Sequence, residues 1–243
     1  MSTLNPRDFL QFDAEIPDEG VSSCRICRQS PVVPFLSVGG RDYWRCRHCQ
    51  GTFLAAEQLP TATEERDCYD LHENDETDGG YRRFLNRLLE PLLGRLTGRQ
   101  EGLDYGCGPN PVLAQMVGDV GHSMAVYDPF FYCDRAPLQR QYDFITCTEV
   151  VEHFYQPAQE FALLSHLLKT GGWLAIMTCF QTDDAAFANW HYRREFTHVT
   201  FYREFTFQIL AQQWGFTWEI PRRNVVLLQK IGNKTGKQRY HSS

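Results

Sequence analysis

No stretch of about 18 apolar residues occurs anywhere in this 243-residue chain, so a membrane-spanning helix is not expected. Positive charge is in deficit. Against 30 aspartates and glutamates stand 24 lysines and arginines, a formal net charge of −6 that disfavours nucleic acid as the principal partner. Residues 1–20 are polar and acidic and lack the apolar core of a secretory signal, which points to a cytoplasmic protein. A phosphate loop is missing too, because no lysine followed by serine or threonine stands at the required distance beyond Gly106 and Gly108.

Size and distribution argue against a disulfide framework, although nine cysteines are present. Four of them are paired, Cys24 with Cys27 and Cys46 with Cys49, and eighteen residues separate the pairs. Each Cys-x-x-Cys can bend into a knuckle that offers two thiolates to one tetrahedral Zn²⁺. Between them, residues 32–38, Gly39-Gly40 and Tyr43-Trp44 read as a short hairpin. Residues 21–55 are therefore expected to form a zinc-ribbon-like module with structural Zn²⁺ on Cys24, Cys27, Cys46 and Cys49, the bland alternative being four free thiols. Arg25, Arg28, Arg41, Arg45 and Arg47 face only Asp42 there, a basic excess that suits either an anionic substrate or an ordinary solvated surface. Cys107, Cys147 and Cys179 fall at strands or strand ends, where cysteine acts as a small apolar residue.

Residues 56–80 read as an acidic linker with one short helix. From Tyr81 the residues Phe84, Leu85, Leu88, Leu89, Leu92, Leu93 and Leu96 recur at helical spacing, and Pro91 should kink or split that helix. Strands and helices then alternate. Strands are expected at 142–148 and 173–179, helices at 158–168 and 203–214, and two last strands at 216–220 and 224–231. The fold class is α/β, with a Rossmann-like parallel sheet over residues 81–232 and helices on both faces. The basic tail 233–243 is expected to be flexible.

At Leu103-Asp104-Tyr105-Gly106-Cys107-Gly108 a buried strand must turn tightly and start a helix, which Asn110 would cap and Pro111 would open. A dinucleotide fingerprint is weakened because Pro111 takes the place of its third glycine. S-adenosylmethionine remains, since its sulfonium and ammonium are cationic and Asp104 would attract them while repelling a pyrophosphate. The segment resembles the first motif of class I S-adenosylmethionine-dependent methyltransferases. Met124-Ala125-Val126-Tyr127-Asp128 resembles the family's second strand, whose terminal acid holds the ribose hydroxyls. Residues 142–154, containing Thr148-Glu149-Val150-Val151-Glu152-His153, resemble the fourth strand and its cofactor-side loop, especially in ubiquinone-type O-methyltransferases. Lys169-Thr170-Gly171-Gly172-Trp173 is similar to the turn into the fifth strand. The resemblance implies that Asp104, Gly106, Cys107, Gly108, Asp128, Thr148 and Glu149 bind the cofactor, and that Tyr69 and Tyr81 lie close to it.

One departure is plain. Only fourteen residues separate Asp128 from Asp143, too few for the family's helix, third strand and adenine-reading loop, so a short loop at 130–135 should hold the adenine. Asp134 is the only acid there.

Methyl transfer from a sulfonium is an in-line displacement, and a hydroxyl acceptor must also lose a proton. A neutral histidine is a competent base at pH 7. His198, His153 and His191 are the candidates, two of them in a segment after the fifth strand that is rich in aromatic and ionisable groups, where Arg193 and Arg194 suit an acidic acceptor. The expected activity is methylation of a small molecule, with oxygen favoured. The alternatives are an RNA or protein methyltransferase that docks through the basic ribbon, and a non-catalytic zinc-containing binding protein.

Overall fold

The computed structural model describes residues 23–69 and 79–232, apart from the side chain of Tyr69. The polar start, most of the acidic run before residue 79 and the basic tail lie outside the described residues.

Gly39 and Gly40 both take positive φ, 61° and 74°. That makes the two-residue turn whose twist suits a hairpin. It joins β1 (Val32–Val38) to β2 (Arg41–Cys46), and β3 (Thr52–Leu54) adds antiparallel to β2. The fourth strand of this small sheet comes from far along the chain. β8 (Thr200–Phe201) pairs with β3, Thr52 opposite Phe201 and Phe53 opposite Thr200, and the Leu54 amide donates to Val199 O at 2.8 Å.

The larger sheet contains β4 (Glu101–Tyr105), β5 (Ser123–Tyr127), β6 (Tyr142–Thr148), β7 (Leu168–Met177), β9 (Phe216–Arg222) and β10 (Val225–Lys230). Their order is β5-β4-β6-β7-β10-β9; the first four run parallel, and β10 and β9 join antiparallel. With β5 on one side of β4 and β6 on the other, the strand order reverses at β4. A crevice opens at such a point.

Side chains alternate across the strands and sort the helices into two layers. Val225 and Leu227 pack with α2 (Gly79–Leu93) and α3 (Val112–Asp119) through Leu85, Leu88, Leu92, Leu113 and Val117. Val226 and Leu228 face the other way, toward α4 (Pro157–Leu167) and α6 (Glu204–Trp214) and their Phe161, Leu164, Phe207 and Leu210.

Several local expectations shift. Pro91 sits in the last turn of α2, too near the end to split it. α3 starts at Val112 with Pro111 in the cap position and no side-chain cap, so Asn110 is not its cap. Instead the Asn110 carbonyl accepts from the Val112 amide at 2.8 Å. Residues 129–141 hold only a bridge between Asp128 and Tyr132 and a 3₁₀ turn at Ala136–Gln139, so the third strand is absent there, as the short spacing requires. The stretch read as a linker contains a 3₁₀ turn at Ala56–Gln58 and a helix, α1 (Ala62–Tyr69). Glu65 in α1 is fully buried, 3.3 Å from the Tyr155 hydroxyl, so its described part packs onto the main body.

Aromatic rings fill the space between ribbon and sheet. Phe201 on β8 is 1 % exposed and meets Phe187 at 5.2 Å and Tyr43 at 6.0 Å, ring edges against faces. Phe201→Ala is expected to cost about 3–5 kcal/mol, read from the urea midpoint, while Val120→Ala at an exposed position stays within about 0.5 kcal/mol. A Phe201→Ala chain as stable as the parent would contradict this packing.

Candidate active site

β4 delivers its last residues to the crevice, and the chain turns there because Gly106 and Gly108 adopt φ of 80° and 67°. A Cβ at Gly106 would also sit 2.6 Å from a Val150 methyl. The amides of Gly106 and Cys107 donate to Tyr127 O at 2.8 and 3.2 Å. Asp128, at the end of β5, accepts from the Gly108 amide at 2.9 Å through one oxygen and from the Phe130 and Phe131 amides at 2.9 and 3.1 Å through the other. One carboxylate thus ties the glycine turn to the loop after β5. Behind the turn, buried Asp104 accepts from the Thr146 hydroxyl at 2.7 Å. Burial raises its pKa to about 6; the Thr146 hydrogen bond opposes the rise and the Asp128 charge adds to it.

The opposite wall starts where β6 ends. Glu149 takes φ of 52°, after which a 3₁₀ turn (Val151–His153) carries Glu152 inward. Glu152 is fully buried and accepts hydrogen bonds from the Tyr192 and Thr178 hydroxyls. Burial pushes Glu152 up to about 8, helped by the Glu149 charge, and pushes Glu149 up to about 7. His198, 7 % exposed, comes from the segment after β7 with its Nδ1 2.7 Å from Tyr192 O. Its ring lies 4.7 Å from that of His153, whose Nδ1 is 3.1 Å from Thr197 O.

A single cavity of about 470 Å³ runs between these walls. Asp104, Gly106, Cys107, Gly108, Asp128, Thr148 and Glu149 all line it, and so do His153, His191 and His198. The volume lies in the range of small-molecule sites. Inside it the Thr148 hydroxyl is buried without a hydrogen-bond partner, a polar atom that a bound ligand would satisfy. Tyr81 and the loop residues Pro129, Phe130 and Phe131 join the lining, whereas Asp134 does not and accepts from the Ala136 amide instead. Arg193 and Arg194 also stay out of the lining. Arg193 is tucked against Tyr43 and donates to Ala188 O, and Arg194 donates to Asn189 O.

The four ribbon cysteines are buried with their sulfurs gathered, Cys24 to Cys49 and Cys27 to Cys46 both at 3.7 Å. A tetrahedron with metal–sulfur bonds near 2.3 Å has edges of about 3.8 Å, so the donor set fits Zn²⁺. The amides of Ile26 and Cys49 point at the sulfurs of Cys24 and Cys46, at 3.3 and 3.4 Å. Such outer hydrogen bonds suit thiolates. The ribbon is fastened to the main body by Thr206, whose hydroxyl donates to Cys49 O at 2.9 Å, and by the Ala158 amide on Arg25 O. Two of its arginines serve the same end: Arg41 donates to Phe196 O, and Arg45 pairs with Asp184 at 2.7 Å. Arg25 instead donates to Leu54 O within the ribbon.

A family model described as a methyltransferase domain matches residues 77–219, more than half of the chain. The chain belongs to the methyltransferase-domain family. Among solved structures it is similar to the Burkholderia thailandensis 1,6-didemethyltoxoflavin-N1-methyltransferase, with 16 % identity over 82 % of this chain and 99 % of that one and a TM-score of 0.49. An O-methyltransferase family protein from the same organism has 14 % identity over 73 % and 66 % of the two chains, with a TM-score of 0.48. The N-methyltransferase NodS of Bradyrhizobium japonicum has 16 % identity over 65 % and 100 %, with a TM-score of 0.40. No curated protein matches.

This methyltransferase carries the class I fold. Two residues, Tyr192 in the cavity wall and Glu152 buried behind it, have roles that spacing does not announce. Glu152 stands three residues after Glu149, and Tyr192 stands beside His191 in the aromatic segment. Both were in view, but nothing in spacing alone tells that the Tyr192 hydroxyl reaches the Glu152 carboxylate.

The purified chain is expected to carry one zinc ion, detected by plasma mass spectrometry and lost in Cys46→Ser. Because the Leu54 amide donates to Val199 O across the edge where β3 meets β8, zinc loss should also speed amide exchange at Leu54. Zinc-free protein with unchanged protection at that amide would contradict the coupling.

Proposed function

We infer that this chain is an S-adenosylmethionine-dependent methyltransferase that acts on a small-molecule hydroxyl, with Zn²⁺ on Cys24, Cys27, Cys46 and Cys49 as a structural ion. The observation that carries the reading is the single cavity with acids and glycines at one end and three histidines at the other. At the first end, buried Asp104 favours the cationic amino acid part of the cofactor, the Gly106–Gly108 turn brings backbone close to it, and Asp128 suits the ribose hydroxyls. Thr148 offers its unpartnered hydroxyl and Glu149 a carboxylate, while Phe130 and Phe131 give the adenine apolar surface. The cofactor supplies the methyl group and its own activation. What remains for the protein is to align the acceptor and remove its proton. His198, and beside it His153 and His191, are the groups at the end where that must happen.

Docking of RNA or protein on the ribbon is less well supported, because Arg25, Arg41 and Arg45 are occupied within the molecule. A cavity of about 470 Å³ also suits a metabolite better than a flat macromolecular face.

The turnover test is direct. His198→Ala should retain S-adenosylmethionine binding by calorimetry while losing about 10²-fold or more in rate, and unchanged turnover would remove His198 from the chemistry. A second test uses pH. Asp104 has its pKa raised to about 6, so its attraction for a cation is present above that value and fades as pH falls through it. Affinity for S-adenosylmethionine is expected to drop about tenfold between pH 7.5 and 5, with a flatter profile and weaker binding in Asp104→Asn. A parent profile as flat as that of the variant would refute the role of Asp104.

A further inference from the structure

Glu152 and His153 are neighbours in sequence, yet a 3₁₀ turn sends them to meet a third residue, His198, forty-five positions after His153. One ligand-capable atom from each of the three lies within 4.8 Å of the other two. His198 Nε2 stands 4.0 Å from Glu152 Oε1, too far for a hydrogen bond and close for two groups that face one another.

The surroundings of the three point the same way. His153 Nδ1 lies 3.1 Å from Thr197 O and His198 Nδ1 lies 2.7 Å from Tyr192 O. A carbonyl oxygen only accepts, so in a neutral ring Nδ1 carries the proton and Nε2 carries the lone pair. Glu152 is oriented by the Thr178 hydroxyl on one oxygen and the Tyr192 hydroxyl on the other. Metal-binding histidines are commonly held in this manner by a carbonyl on the second nitrogen, and metal-binding carboxylates by further hydrogen bonds.

We propose that Glu152, His153 and His198 form a binding site for a divalent cation, and that this ion receives the acceptor hydroxyl in the methyl-transfer cavity. The proposal rests on the methyltransferase reading of the cavity and deepens it to oxygen as the acceptor atom. Two imidazoles and one carboxylate make a donor set that suits Mn²⁺, Fe²⁺ or Zn²⁺ and leaves coordination positions open. With bonds near 2.1 Å to each donor, the ion draws the three side chains together by about 1 Å. A hydroxyl placed on an open position loses its proton to solvent because the ion lowers its pKa. The oxygen lone pair then forms the C–O bond as the S–CH₃ bond breaks, and the departing pair stays on sulfur as the thioether. The ion keeps its oxidation state. His153 and His198 act as ligands in this scheme, and solvent takes the proton.

The test uses the full-length chain loaded with zinc at its cysteine site, titrated with MnCl₂ while electron paramagnetic resonance follows free Mn²⁺. Thiolates are poor partners for Mn²⁺, so the ribbon does not compete. The expected result is one Mn²⁺ per chain, bound at least tenfold more weakly by Glu152→Gln and by His153→Asn. Both variants should hold S-adenosylhomocysteine within threefold of the parent by calorimetry, which shows them folded. Absence of Mn²⁺ binding by the parent, or equal binding by parent and both variants, overturns the proposal. Mn²⁺ bound with the expected variant pattern in a chain that fails to take S-adenosylhomocysteine upholds the ion site and removes the methyltransferase reading instead.

Discussion

Backbone pairing between residues 53–54 and 199–200 is the constraint on which the rest of the site depends. The segment after β7 carries His191, Tyr192, Thr197 and His198 into the cavity, and it must be held in place despite having little regular structure of its own: a 3₁₀ turn (Phe187–Asn189), the four-residue α5 (His191–Arg194) and the two residues of β8. β3 offers it a strand edge, and the Leu54 amide reaches Val199 O next to His198. The ribbon is the support for the side of the cavity that carries His198. Aromatic packing of Phe187 and Phe201 against Tyr43 adds apolar burial to that backbone contact.

This arrangement gives the cysteine cluster a meaning beyond its own stability. A ribbon of this size buries little surface alone and would need its metal to fold. Here Cys24, Cys27, Cys46 and Cys49 share a core with Phe207 and Leu210 of α6, so the knuckles are part of the main hydrophobic mass. The ion would fix the turn geometry that sets β3 at the angle β8 requires. Both walls of the cavity are then built on regular elements, the parallel sheet behind the Gly106–Gly108 turn and the ribbon sheet behind His198.

Much of this was legible in the sequence because local chemistry fixes it. The turn at Gly106 and Gly108 needs positive φ, the acids at Asp104 and Asp128 close hydrophobic strands, and the missing third strand shows as a plain shortage of residues. The cysteine pairs carried their own spacing. What the sequence did not reveal lies in contacts between distant segments. Nothing about Thr200 and Phe201 announces a strand, since two residues have no periodicity to read. Glu152 looked like part of a family motif until its hydroxyl partners, Thr178 and Tyr192, were in place. The ribbon arginines looked available to a partner, yet their acceptors Leu54 O, Phe196 O and Asp184 lie in other parts of the chain or of the sheet.

A crystal structure grown with S-adenosylhomocysteine tests the central claim most directly. The account predicts the amino group of the ligand beside Asp104, its ribose hydroxyls on Asp128, its adenine against Phe130 and Phe131, and its sulfur turned toward His153 and His198. Density for the nucleoside outside the Gly106–Gly108 turn, or a sulfur pointing away from the histidines, would contradict it.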